Sequence, residues 1–157
     1  MILQSTKNIK HIKAPVTVVY NAFSSAEALE QWLAPDGMTG KIHSFDFSTG
    51  GGYEMSLYYA EEETGFSGKT SDHEDRFTAR FLEIIPNQKI ILVTVFDSED
   101  ESFTGEMKMT VYFEPKEEDT LITLLFDDIP SGIKPEDNEE GTRQSLDKLA
   151  NYVEQQN

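Results

Sequence analysis

The chain of 157 residues contains no cysteine, which excludes a disulfide framework, a thiolate zinc site and a cysteine nucleophile. Positive charge is scarce. Lys and Arg number 13 against 29 Asp and Glu, a net charge of 13 − 29 = −16. Tracking a phosphate backbone needs clustered Lys and Arg that release counterions, and attraction to an anionic membrane surface needs the same. Nucleic acid and membrane are therefore not expected partners. No stretch approaches the roughly 20 apolar residues of a membrane span; the longest nearly apolar run, Ile90 to Phe96, is broken by Thr94. Met1 to Lys7 lacks the apolar centre of a signal peptide, so a cytoplasmic location is expected. What is present is the material for a core. Hydrophobic residues make up 38% and aromatics 11%, with 10 Phe and 6 Tyr, more than a disordered acidic chain carries. The length suits one domain, and no repeat or linker divides it, so a single domain over residues 1–157 is expected.

Gln4 to Ile12 reads as a strand. Ala14-Pro15 then opens a helix, because the fixed φ of proline suits the first turn. Val16, Val19, Tyr20 and Phe23 form its apolar stripe at i, i+3, i+4 and i+7. Ser24 with Glu27 has capping-box spacing and starts a second short helix carrying Ala26, Leu29, Trp32 and Leu33, ended by Pro35-Asp36-Gly37. Strands follow. Lys41, His43, Phe45 and Phe47 share one face, and Gly50-Gly51-Gly52 turns the chain into the alternation Tyr53, Met55, Leu57, Tyr59. Further strands cover about Glu74 to Ile85, Lys89 to Asp97, Gly105 to Phe113 and, after a turn at Pro115 to Asp119, Thr120 to Phe126. Seven strands joined by tight turns predict one antiparallel sheet. Ile133 to Asn138 leads to a last helix whose acidic Glu139 and Glu140 suit an N-terminus. Leu146, Leu149, Ala150 and Val153 form its buried face, which continues upstream only through the small polar Thr142 and Ser145. A cavity is expected opposite that half of the helix.

Several segments resemble one family. Ile12-Lys13-Ala14-Pro15-Val16 and Val19-Tyr20-Asn21-Ala22-Phe23 are similar to the opening of the activator of heat-shock-protein-90 ATPase homologue, C-terminal-domain type. Glu30-Gln31-Trp32 resembles its tryptophan after the second short helix. Phe47 to Tyr53 resembles the following hairpin, Phe81 to Pro86 a strand-to-proline turn, and Gly141 to Val153 the final helix. The resemblance spans essentially the whole chain, within the START-like (SRPBCC) superfamily. It implies an α+β helix-grip fold, a curved antiparallel sheet wrapped around a long C-terminal helix with two short helices after strand 1. Two positions depart from relatives: Thr142 stands where many carry an aromatic residue, and Ala79 where glycine is frequent. The first departure enlarges or opens the expected cavity.

No motif nominates a catalytic residue. Gly68-Lys69-Thr70 ends like a phosphate-binding loop, but the position of its first glycine holds Glu63, so a hairpin loop is expected. His11, His43 and His73 are far apart, with no metal-ligand spacing. Asp97 to Glu101 alternates carboxylates but has Ser102 and Lys108 where a calcium loop needs glycine and glutamate. With Glu61-Glu62-Glu63 and Glu117-Glu118-Asp119 it reads as a solvated tip. Gly-x-Ser-x-Gly is absent, and the strand residues Glu83 and Glu106 are expected to face solvent. No metal site, no cofactor and no catalytic residue is assigned.

The apolar set is the informative remainder. A helix-grip sheet encloses more volume than one helix fills, so candidates for a ligand cavity are Trp32, His43, Phe45, Tyr53, Met55, Phe77, Phe81, Phe96, Met107, Met109, Phe126, Thr142 and Leu146. Methionines supply adaptable walls, and His43, Tyr53 or Thr142 could fix orientation. The expected function, placed first, is noncatalytic binding of a small hydrophobic or amphipathic ligand. A protein–protein role of the chaperone-regulator kind, with a chaperone contact, stands second, and a polyketide-cyclase-like enzyme third. The acidic exterior favours neutral or cationic ligands over fatty-acid carboxylates.

Overall fold

The computed structural model describes residues 4–59, 74–98 and 100–155. Strand β1 (Gln4–Ile12) leads to helices α1 (Val16–Asn21) and α2 (Ala26–Trp32). Six strands follow: β2 (Met38–Phe45), β3 (Gly52–Tyr59), β4 (Glu74–Ile85), β5 (Lys89–Phe96), β6 (Met107–Lys116) and β7 (Asp119–Ile129). A single 3-10 turn at Glu101–Phe103 precedes β6, and α3 (Pro135–Glu154) closes the chain. The strands form one antiparallel sheet in the order β1-β7-β6-β5-β4-β3-β2, with β1 and β2 at its edges. With α3 after the last strand and two short helices after the first, this is the α+β helix-grip arrangement. The buried face of α3 (Leu146, Leu149, Ala150, Val153) shares one core with Ile12, Trp32, Ile90, Val111 and Ile122. A smaller apolar cluster of Met107, Ile129 and Ile133 adjoins it through Phe96 and Phe126, which pack against both.

Local chemistry sets several boundaries differently from the sequence pattern. The cap of α2 is Ser25, whose Oγ accepts from the Ala28 N–H at 3.3 Å, whereas the Ser24 hydroxyl donates back to the Asn21 carbonyl. Helix α3 starts earlier than its acidic pair suggests. Pro135 occupies the first turn, where its missing N–H costs nothing, and Glu136 and Asp137 supply the negative charge. Strand β6 runs through Pro115 to Lys116. This proline is tolerated in a central strand because the pairing of β5 with β6 reaches only Tyr112, so Pro115 is paired with Thr120 on one side alone.

The largest correction falls on β2. Its register with β3 shifts between Ile42 and Ser44, a bulge that leaves His43 unpaired. Ile42 pairs with Met55 and Phe45 with Tyr53, so the two apolar residues three apart both face inward. Next to the bulge, Gly52 lies so close to β4 that a Cβ there would stand 1.9 Å from the Ala79 carbonyl oxygen.

Both sheet edges are tied to helices by side chains. On β2 the Ile42 N–H donates to the Glu30 carboxylate of α2 at 2.6 Å. On the β1 side the Lys13 N–H donates to Glu154 at 3.0 Å, Asn138 donates to the Thr6 hydroxyl at 2.9 Å, and Lys10 pairs with Asp147 at 2.9 Å.

Candidate functional site

Between the sheet and the N-terminal half of α3 lies a cavity of about 460 Å³. Its position follows from side-chain size. Gly141, Thr142 and Ser145 present little bulk on this half of α3, while Leu146, Leu149 and Val153 fill the space beside the other half. Ser145 also holds the wall together, since its Oγ donates to the Leu33 carbonyl at 2.6 Å and so ties α3 to the end of α2. At the same junction the Lys148 ammonium donates to the Ala34 carbonyl at 2.7 Å.

The sheet supplies the opposite wall from inward positions of successive strands. Tyr53, Leu57 and Tyr59 come from β3, Asp75 and Phe77 from β4, Leu92, Thr94 and Phe96 from β5. Met107 and Met109 of β6 and Leu124 and Phe126 of β7 complete it. Trp32 closes one end; it is fully buried, and its indole N–H donates to the Ala22 carbonyl at 2.9 Å. The Phe23 ring packs on the indole edge to face, 4.8 Å between centroids. Lys134 and Asp137 stand exposed where the cavity opens.

Eight of the thirteen candidate residues line this space: Trp32, Tyr53, Phe77, Phe96, Met107, Met109, Phe126 and Thr142. Four others sit in packed surroundings. Met55 and Leu146 are core residues, Phe45 stacks on Phe47, and Phe81 borders a separate void of about 10 Å³, room for about one water. His43 is not at the cavity. The bulge turns it to the outer face, where it is exposed and its Nε2 lies 2.9 Å from Ser56 Oγ. The Ser56 hydroxyl spends its single proton on Glu74, 2.5 Å away, so His43 is the donor to the serine oxygen.

Asp75 and Tyr59 are the polar pair the sequence reading did not single out. Asp75 is 1% exposed, and the Tyr59 hydroxyl donates to its Oδ2 at 2.8 Å. Burial, reinforced by the charge of Asp75 and the hydrogen bond to it, pushes the Tyr59 phenol well above its usual range. Burial alone does the same to Tyr53. The signal for Asp75 was the alternation itself, because Asp75, Phe77, Ala79 and Phe81 share one face of β4.

Other sequence features lie at the surface. Glu83 pairs with Lys89 at 3.3 Å and Glu106 with Arg80 at 3.4 Å, while His11 meets Asp119 at 2.8 Å. Asp100 accepts from both the N–H and the hydroxyl of Ser102, which lowers its pKa. Among the described residues no three His, Asp or Glu side chains stand close enough to hold a metal ion, and no helix is long and apolar enough to cross a membrane. Gly68-Lys69-Thr70, Glu61 to Glu63 and His73 lie outside the described residues.

A helix-grip sheet with a cavity under the start of its long helix defines the START-like class. Within that class, the sequence profile described as "Activator of Hsp90 ATPase homolog 1-like protein" matches residues 13–154, and the chain belongs to this family. It is similar to the crystal structure of protein CV1439 from Chromobacterium violaceum, with 29% identity, 96% of each chain covered and a TM-score of 0.84. Mll3558 protein from Rhizobium loti shares 25% identity over 96% of each chain, with a TM-score of 0.72. The AHSA1-like protein from Aeromonas hydrophila, at 18% identity, has the same fold, with a TM-score of 0.71 over 96% of this chain and 92% of that one. Among curated proteins no sequence matches.

Proposed function

We propose that this chain binds a small hydrophobic or amphipathic molecule between the sheet and the N-terminal half of α3, without transforming it. The observation that supports this reading is the cavity of about 460 Å³ with a wall made mainly of aromatic, leucine and methionine side chains. The space opens to solvent beside Lys134 and Asp137, so a molecule with an apolar body can enter it and displace water from those walls. Binding draws on apolar burial, roughly 25 cal/mol per Å² before association costs. Family membership sets the class but does not select the ligand.

Catalysis is the second reading, and the buried Asp75 inside the cavity is what favours it. Proton transfer in the cyclase manner needs groups poised near the working pH. Tyr59, whose pKa is raised by burial and by Asp75, donates a hydrogen bond and stays un-ionised at neutral pH. The pair is thus better suited to orienting a bound molecule than to moving protons.

Trp32 is the single tryptophan and lines the cavity, so its emission is a direct reporter. Native mass spectrometry and a thermal-shift screen of lipids and metabolites, followed by Trp32 fluorescence titration, test the proposal. A true ligand at 100 times its Kd stabilises the fold by about 2.7 kcal/mol. A screen in which no compound shifts either the melting point or the Trp32 emission refutes it.

A further inference from the structure

We propose that a row of hydroxyls across the sheet wall of the cavity selects the ligand, an uncharged molecule with a hydrogen-bond acceptor of the ketone class in the middle of an apolar body. This rests on the binding reading above and specifies its ligand class. Tyr53, Ala79, Thr94 and Met107 stand opposite one another on β3, β4, β5 and β6, so they form one transverse row. Neighbouring strands lie about 4.8 Å apart, which places the Tyr53 and Thr94 backbones about 10 Å apart with the small Ala79 between them. The Tyr53 ring packs against Phe77 at 6.2 Å and Phe81 at 5.8 Å, the two residues that flank Ala79 on its face of β4. It therefore leans over Ala79 towards Thr94. Thr142 adds a third hydroxyl from the α3 wall.

The second observation is that these hydroxyls are unspent. Tyr53, Thr94 and Thr142 are 5%, 7% and 7% exposed, yet none of their hydroxyls hydrogen-bonds to another described residue. Among the described residues the one enclosed side-chain nitrogen or oxygen without a partner is Asn8 Oδ1, so these three oxygens are not sealed in packing and open to the space their residues line. When an apolar body displaces the water there, each hydroxyl needs a partner on that body, or its desolvation counts against binding. Burial holds the Tyr53 phenol un-ionised, so it offers a proton, while a threonine hydroxyl donates or accepts. No charge stands on the row. Asp75, bonded to Tyr59, lies four residues from Ala79 along β4, about 13 Å away. A charged head at the row would be buried without a counter-charge beside it; a neutral acceptor takes the hydroxyl protons without that cost. The row also lies at mid-depth. The paired Phe77 and Phe96 form the next row on one side, and the paired Leu92 and Met109, beside Trp32, the next on the other. Two residues along a strand cover about 7 Å, so the acceptor sits inside the ligand with an apolar arm on each side.

Three compounds separate these features: dipentyl ketone, its alkene isostere with a methylene group in place of the carbonyl oxygen, and the isomeric methyl nonyl ketone. The first two differ only in the acceptor, and the two ketones only in its position. Titration followed by Trp32 emission is expected to give dipentyl ketone at least about tenfold tighter than the alkene, which leaves the hydroxyls dry and unpaired, and at least about threefold tighter than methyl nonyl ketone. In Tyr53→Phe the ketone-to-alkene ratio is expected to fall to within about threefold while the alkene binds as before, and Thr94→Val is expected to lower the ratio by about threefold. Equal weakening of ketone and alkene in both variants shows a packing role only and overturns the assignment. Each variant removes a hydroxyl that no described residue uses, so each is expected to fold, as circular dichroism checks; should Tyr53→Phe not fold, Thr94→Val and the wild-type ratio decide. Alkene binding as tight as dipentyl ketone, or methyl nonyl ketone binding tighter than dipentyl ketone, overturns the inference and leaves the binding reading standing. If none of the three binds, the inference falls, and the screen of lipids and metabolites decides the binding reading separately.

Discussion

Thr142→Phe is the substitution whose sign reads the cavity. Thr142 is 7% exposed on α3 and faces the space of about 460 Å³. Threonine and phenylalanine have similar helix propensities, so the outcome depends on where the ring goes. Entering the cavity, it gains most of the roughly 1.5–3 kcal/mol that burial gives a large apolar side chain. After subtracting what the threonine methyl already contributes, a net stabilisation of about 1–2 kcal/mol remains. For a chain of this length each kcal/mol moves the melting temperature by about 2–4 °C. If α3 instead lay tight against the sheet, the ring would overpack and cost about 1–3 kcal/mol. Urea unfolding monitored by circular dichroism, with the m value checked for constancy, distinguishes the signs. A raised midpoint is expected, together with weaker binding of any cavity ligand because the ring takes its place. A lowered midpoint at unchanged m refutes the reasoning.

Gly52→Ala is expected to destabilise by more than about 2 kcal/mol, because its Cβ would sit 1.9 Å from the Ala79 carbonyl oxygen. Gly50→Ala, with φ +88° but nothing within 4 Å, is expected to cost only about 1 kcal/mol; equal losses in urea melts would refute the contrast. Glu140 is held down to about 2 from 4.5 by hydrogen bonds from Arg143 and Gln144 and by the Arg143 charge. Its folded-state pKa is the lower one, so its contribution is present above the unfolded value and is lost as pH falls towards 2. Carboxyl NMR titration checks this, and Arg143→Gln should return the midpoint towards 4.5. His43→Ala is expected to leave cavity binding unchanged and stability within about 1 kcal/mol, since the imidazole lies exposed on the outer face.

The sequence carried the strand segments and the position of the cavity because both depend on periodicity. Tyr53, Met55, Leu57 and Tyr59 recur at a period of two, and the face of α3 changes visibly from Leu146 to Thr142. His43 was misplaced because Lys41, His43, Phe45 and Phe47 form an unbroken alternation that a bulge overrides. The only hint was Ile42, an apolar residue left on the wrong face and three positions from Phe45. Asp75 was passed over for the opposite reason: its period pointed inward, but its charge argued for the surface. Ser24 and Ser25 are adjacent, and only backbone register decides which hydroxyl reaches Ala28.

An open sheet leaves two strands with main-chain donors and acceptors that face no neighbour, and such rims can recruit a strand from another molecule. Here the Ile42 N–H at one rim is taken by Glu30, and at the other end the Lys13 N–H, just past β1, is taken by Glu154. The bulge at His43 also breaks the regular spacing an incoming strand would have to match. Glu30 and Glu154 therefore each occupy one main-chain donor at or beside a rim, where self-association by strand addition would begin. Unlike a closed barrel, the sheet stays open at the cavity, with a helix carboxylate set against each of its margins.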